Sequence, residues 1–176
     1  MSSNQQNIAP EHRVAELLEL FYPVHYKTGI AFEDAMRNGK ITRKQTAILW
    51  LIHAEGFERT RMRRKDIERS LQTWFEVSSS AITKALRGMS RPPLNLVKIV
   101  EDPESAREKQ VLLTAKGERF LNEMIAEGRR LLGKMVEQLT DQEIDGGIVY
   151  LRKVTSGFEV ALQKSADAPA GVEAGK

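Results

Sequence analysis

The sequence predicts a mainly α-helical fold: a winged helix–turn–helix domain flanked by N- and C-terminal helices. Three observations carry that prediction. Apolar residues recur at helical spacing through both ends of the chain. Between them, two short helical segments meet at a tight turn, and two aliphatic runs around a polar tip follow. The positive charge is also concentrated: residues 59–91 carry 9 basic and 3 acidic side chains, although the net charge of all 176 residues is only +3.

Residues 1–9 are polar and read as a flexible N-terminus. Residues 10–40 read as the N-terminal dimerisation helix. Pro10 suits a first-turn position, and Val14, Leu17, Leu18, Phe21, Val24 and Phe32 recur near the 3.6 period. Pro23 lacks an N–H and is expected to kink or break this helix. Asn38-Gly39 closes it.

Residues 41–114 read as the winged domain. Thr42 and Gln45 have capping-box spacing, with Ile41 just outside. The helix that follows runs to about Ala54, buries Ile48, Leu49 and Ile52, and ends at Gly56. A second helix covers about 64–75, with Ile67, Leu71 and Trp74 at i, i+4 and i+7. Arg63, Arg64 and Lys65 stand at its start, where their charge opposes the helix macrodipole and calls for compensation from outside the helix.

Ser78 or Ser79 can cap the third helix, which runs through Met89. Its inward stripe is Ile82, Leu86 and Met89, and its outward face shows Ser80, Thr83, Lys84, Arg87 and Arg91. Pro92-Pro93 forbids continuation. Residues 94–100 and 110–113 then read as hairpin strands joined by a long polar loop over 101–108.

Residues 115–164 read as the C-terminal dimerisation helices. Thr114 caps the first, whose stripe Leu121, Met124, Gly128, Leu131 and Met135 fits an intersubunit seam better than an internal one. Thr140 and Glu143 open the second. Residues 165–176 are small and polar and read as a disordered tail.

A helix pair of this kind can place its second helix in a DNA major groove, while the hairpin carries Arg107 towards an adjacent minor groove. Arg and Lys can meet guanine edges or phosphates, and Ser and Thr can meet either. The DNA-contacting set is therefore Arg61, Arg63, Arg64, Lys65, Arg69, Ser78, Ser79, Ser80, Thr83, Lys84, Arg87, Arg91 and Arg107. Phosphates fall to the 61–65 cluster and Arg69, and bases to Ser80, Thr83, Lys84 and Arg87.

Other chemistries find little footing. Cysteine is absent, which removes disulfide frameworks, thiolate metal sites and thiol catalysis. There is no Gly-rich phosphate loop, metalloprotease motif or nucleophile elbow, so neither an enzyme nor a cofactor is expected. His12, His25 and His53 lack metal-ligand spacing; His25 and His53 read as half-buried residues near a helix interface. Trp50, Phe57 and Trp74 fit core packing better than an effector pocket. No run approaches a membrane span and no signal peptide opens the chain, so a cytoplasmic protein is expected.

The segment Val77-Ser78-Ser79-Ser80-Ala81-Ile82-Thr83-Lys84-Ala85-Leu86 resembles the recognition helix of MarR-family transcriptional regulators. Asp102-Pro103, Arg107 and Val111-Leu112-Leu113-Thr114-Ala115-Lys116-Gly117 resemble that family's wing and its Leu-Thr-x-x-Gly exit. The element order matches over roughly residues 10–164. Two positions depart: Ser105 replaces the usual acidic residue two before the wing arginine, and Arg91-Pro92-Pro93 replaces the favoured Lys-Gly. The resemblance implies a homodimeric regulator of double-stranded DNA, often a repressor, with a small aromatic effector held between the two regions.

The expected function is thus sequence-specific regulation from a pseudo-palindromic operator bound by a homodimer. Two rival readings of the same residues are a winged-helix protein-interaction module and a nonspecific architectural DNA-binding protein.

Overall fold

The capping box at Thr42 forms as its spacing requires. Thr42 Oγ1 accepts from the Gln45 amide (3.3 Å), and Gln45 Oε1 accepts from the Thr42 amide (2.9 Å). Two donors that a helix start would otherwise leave unpaired are thereby satisfied. The structure is a computed structural model that describes residues 10–167, apart from the side chains of residues 106–107 and 159–167. The expected flexible N-terminus lies outside the described residues.

The elements follow in order. Helix α1 (Pro10–Pro23) passes through a π-helical segment (Val24–Gly29) into α2 (Ile30–Arg37). Helix α3 (Arg43–Glu55), strand β1 (Arg61–Arg63), α4 (Arg64–Trp74) and α5 (Ser79–Met89) come next. Strands β2 (Val97–Asp102) and β3 (Ser105–Leu113) form the wing, and α6 (Ala115–Val136) and α7 (Asp141–Asp167) complete the chain. Two compact units divide between Leu132 and Gly133.

Pro23 therefore ends α1 without breaking the helical path. Lacking an N–H, it opens the hydrogen-bond ladder, and the next turn takes the wider π spacing. Asn38 then terminates α2 in the left-handed conformation at φ 46°, with Gly39 at φ 64° beside it.

Three helices and the sheet share one core. Ile48, Leu49, Leu51 and Ile52 of α3 meet Ile67 and Leu71 of α4 and Ile82, Leu86 and Met89 of α5. Val97 and Val111 close it from the wing, and Leu121 and Met124 from α6. Each such side chain contributes about 1.5–3 kcal/mol on burial, which holds the helix–turn–helix as a rigid platform.

The sheet has three strands in the order β1-β3-β2, both pairings antiparallel. Strand β1 is not predicted from the sequence because three residues are too few to show a period of two. It pairs Met62 with Val111 and follows a turn in which Glu58 and Arg59 both adopt positive φ. The wing is also longer than expected. β2 reaches Asp102 and β3 begins at Ser105, so the polar loop expected over 101–108 is mostly strand, with only Pro103 and Glu104 at the turn. Polarity here marks strands that extend into solvent, not a loop.

Four further expectations change. Helix α7 continues to Asp167, three residues into the expected tail; no proline intervenes before Pro169. The rest of the tail lies outside the described residues. The α6 stripe divides: Leu121, Met124 and Gly128 are buried within the chain, where Phe32 and Met36 of α2 pack on Gly128, whereas Met135 is exposed. His25 is exposed on the π-helical segment, and only His53 is half-buried. Trp50, Phe57 and Trp74 are not core residues. Trp50 is 37% exposed on α3, Trp74 is the last residue of α4, and Phe57 stacks 4.3 Å from the Arg61 guanidinium.

Candidate nucleic-acid interface

Helix α5 acquires its outward face from its own cap and stripe. Ser78 Oγ accepts from the Ala81 amide at 3.3 Å, which starts the helix, and burial of Ile82, Leu86 and Met89 fixes its rotation. Ser79, Ser80, Lys84 and Arg87 are then exposed, with Arg91 exposed just beyond the helix. Among the described residues, Lys84, Arg87 and Arg91 have no carboxylate within ion-pair distance.

Not every outward hydroxyl is uncommitted. Ser78 is the cap, and its Oγ lies 2.9 Å from Ser80 Oγ. Thr83 Oγ1 donates to the Ser79 carbonyl at 2.8 Å and accepts from Arg64 Nη2 at 3.0 Å. What Thr83 still offers outward is one lone pair and a methyl group.

The cations around the start of α4 are answered from within the chain. Arg63 Nε donates to Asp102 Oδ2 at 2.9 Å, and its Nη2 donates to Glu104 at the wing turn. Arg64 lies 3.5 Å from Glu68, Lys65 4.0 Å from Glu108, and Arg69 2.9 Å from Asp66. Wing carboxylates thus already offset the charge of Arg63 at this helix start. Spacing could not reveal this, because Arg63 and Asp102 are 39 residues apart.

Asp102 is the buried member of this group. Its side chain has no exposed surface, and its Oδ1 accepts from the Glu104 amide at 2.9 Å. That amide, together with the Gln110 side chain and Arg63, holds the carboxyl below the usual carboxylate range despite burial. In return, Asp102 and Glu104 raise Arg63 above its ordinary value. Arg107 lies in β3, and its side chain is outside the described residues.

A second feature lies where α2, α3 and α6 meet. A cavity of about 190 Å³ is lined by Phe32, Met36, Trp50, His53, Ile125, Gly128, Arg129 and Leu132. Burial, reinforced by Arg59 and Arg129, pushes His53 below its ordinary value, so the neutral imidazole is favoured. Among the described residues, no group of three or more His, Asp or Glu side chains is arranged to hold a metal ion, and no helix is long and apolar enough to cross a membrane.

Residues 41–117 match the family model described as a winged helix DNA-binding domain. Among solved structures, a MarR family protein from Bacillus stearothermophilus superposes with a TM-score of 0.70 at 25% identity, over 85% of this chain and 97% of that one. Wild-type MarR from E. coli gives 0.62 at 21% identity, over 78% and 95%. A mutant MepR from a multidrug resistant S. aureus clinical isolate gives 0.61 at 20% identity, over 81% and 96%. No curated protein sequence matches the chain. The winged domain, the recognition-helix face and likeness along most of the chain agree: residues 41–117 form a winged helix DNA-binding domain, and the chain is similar in fold to MarR-family structures.

Proposed function

We propose that the chain acts as a homodimer on a pseudo-palindromic operator, as a repressor where that site overlaps a promoter. The observation that carries this reading is the α5 face, where Lys84, Arg87 and Arg91 are exposed without carboxylate partners among the described residues, above a buried apolar stripe. Two such faces about 34–36 Å apart meet successive major grooves. Lys84, Arg87, Ser80 and the outer side of Thr83 read bases, while Arg61, Arg64, Lys65, Arg69, Ser79 and Arg91 hold the backbone. Ser78 serves the contact as a cap, and Arg107 reaches a minor groove.

Pairing is supported separately by apolar surface on α1 and on α7. Val14, Leu18 and Tyr22 of α1 are 66%, 73% and 64% exposed, and Leu151 and Phe158 of α7 are 61% and 62% exposed. Such runs of large apolar side chains are covered in a stable protein. Residues 10–36 and 115–164 supply most of the interface.

The cavity between α2, α3 and α6 is the effector site in this reading. Its volume of about 190 Å³ is close to the ~150 Å³ that accommodates benzene, so it suits a one-ring compound. Trp50 and Phe32 face the ring, and Arg129 faces a phenolate or carboxylate. An effector acts only if it favours one spacing of the two α5 helices over another.

The test is a competition shift assay on the DNA upstream of the protein's own gene against random duplex. A preferred fragment at physiological salt supports the operator reading. Equal affinity for all duplexes with a steep salt slope favours architectural binding, and no binding favours a protein-interaction module.

A further inference from the structure

Arg63 and Arg64 are neighbours in sequence whose side chains leave in different directions. Arg63 reaches the wing through Asp102 and Glu104, and Arg64 reaches the recognition helix through Thr83. We propose that the Arg63–Asp102 pair is a positioning brace, which sets the wing against α5 and contributes to DNA binding without touching DNA. The proposal rests on the DNA-binding reading above.

The geometry is that of a bracket. Arg63 closes β1 and occupies the N-cap position of α4, so it belongs to both the sheet and the helix–turn–helix. Its backbone pairs with Gln110 of β3, while its side chain crosses to the end of β2. Asp102 sits there at an irregularity in the β2–β3 register and holds the Pro103–Glu104 turn through the Glu104 amide. A cleft of about 550 Å³ opens between the turn and α4, lined by Phe57, Met62, Asp66, Arg69 and Pro103 among others. Arg63 lines that cleft and bonds to its wing side, so directed polar bonds hold the wing end.

A buried carboxylate whose oxygens each have a fixed donor permits few other orientations of the turn. Removing Arg63 leaves a buried carboxylate without its counter-charge, removing Asp102 leaves Arg63 only the exposed Glu104, and either change frees the wing end to swing. Arg64 sits one residue on and ties Thr83, so a shift at Arg63 is felt at both DNA-facing elements.

The brace and a phosphate contact predict opposite signs for one variant. Asp102→Asn removes a negative charge from a DNA-binding surface, which by charge alone tightens binding. As a brace, it weakens binding. The experiment measures the affinity of full-length wild type, Arg63→Gln, Asp102→Asn and the double variant for the preferred upstream duplex across a salt series. Hydrogen exchange of residues 97–113 is followed on the same samples.

The expected result is a loss of about tenfold for each single variant and little more for the double, as coupled neighbours show. The salt slope stays unchanged, and the Glu104 amide exchanges faster while α3 keeps its protection. Asp102→Asn binding as tightly as wild type overturns the proposal. So does an Arg63→Gln variant with a shallower salt slope and unaltered exchange in the wing. Should either variant fail to fold, Glu104→Gln, at an exposed position, takes its place, with unchanged wing exchange and DNA affinity counting against the brace. If wild type itself prefers no duplex, the DNA reading fails, and the exchange data still decide whether Arg63 holds the wing.

Discussion

Gly117 approaches Leu96 so closely that a Cβ on Gly117 would lie 1.9 Å from the Leu96 carbonyl oxygen. Thr114 organises the same corner: its Oγ1 donates to the Asn95 carbonyl at 2.7 Å and accepts from the Gly117 amide at 3.0 Å. The Thr-x-x-Gly spacing thus brings the start of α6 against the base of the wing. Gly117→Ala is expected to destabilise by at least about 1–3 kcal/mol, because backbone must move. Gly133→Ala, with open space around it in α6, should instead stabilise by up to about 1 kcal/mol. Urea midpoints of the two variants check both signs.

Acid should release the wing before it melts the core. The Asp102 carboxyl lies lower in the folded protein than the ~3.9 of an unfolded chain. Its contribution is therefore fully present above that value and is lost as pH falls through the folded one. Exchange of residues 97–113 is expected to rise at acid pH while α3 remains protected. Asp102→Asn should raise wing exchange at neutral pH and flatten its acid dependence.

The parts legible in sequence were those encoded locally. The boxes at Thr42 and Thr140, the Ser78 cap and the Ile82–Leu86–Met89 stripe need only three to seven residues of context, and each forms. β1 was not legible, because its three residues become a strand only by pairing with β3, about 50 positions on. The role of Arg63 was hidden for the same reason. Its local setting advertised an uncompensated charge, and the compensation comes from Asp102 and Glu104 across the sheet. Trp50 and Trp74 misled in the other direction: aromatic residues within apolar stretches read as core, yet helix rotation leaves them 37% and 48% exposed.

His53 gives the cavity between α2, α3 and α6 a pH dependence of its own. Burial first, then Arg59 and Arg129, depresses its value in the folded state. The folded protein therefore binds fewer protons than the unfolded chain. Its advantage is complete above the unfolded value of about 6.5 and declines as pH falls below it. Thermal midpoints should drop between pH 7.5 and about pH 5, and His53→Gln should reduce that drop. An anionic aromatic compound that protects the wild type should bind more tightly towards pH 5, where a protonated His53 adds a second cation beside Arg129.

Dimerisation can be separated from folding at Leu151. This residue is 61% exposed on α7, so Leu151→Glu costs the single chain little. In an apolar interface the same carboxylate would lose its water without gaining a partner. The dimer dissociation constant is expected to rise at least about tenfold, a change of ~1.4 kcal/mol. Affinity for the two-half-site operator should fall with it, since linked sites gain their strength from being joined. Sedimentation at micromolar concentration, with a circular dichroism control for the fold, checks the pair of effects.

The basic residues divide by job, and salt separates the jobs. Arg87 stands one turn beyond Thr83 on the outer face of α5, exposed and without a carboxylate partner among the described residues. Its fork can meet a guanine edge, and such a bidentate contact is worth ~1–3 kcal/mol of discrimination. Lys65 is 80% exposed at the start of α4, its Nζ 4.0 Å from Glu108, where an extended ammonium can meet a phosphate but carries no sequence information. Lys65→Ala should therefore weaken preferred and random DNA alike and lower the magnitude of the salt slope by about one unit for each phosphate no longer neutralised. Arg87→Ala should act mainly on preferred DNA and narrow its advantage over random duplex by about tenfold or more. Salt titrations of both variants on both duplexes measure the difference. An Arg87→Ala variant that loses equal affinity for the two would move Arg87 from the bases to the backbone.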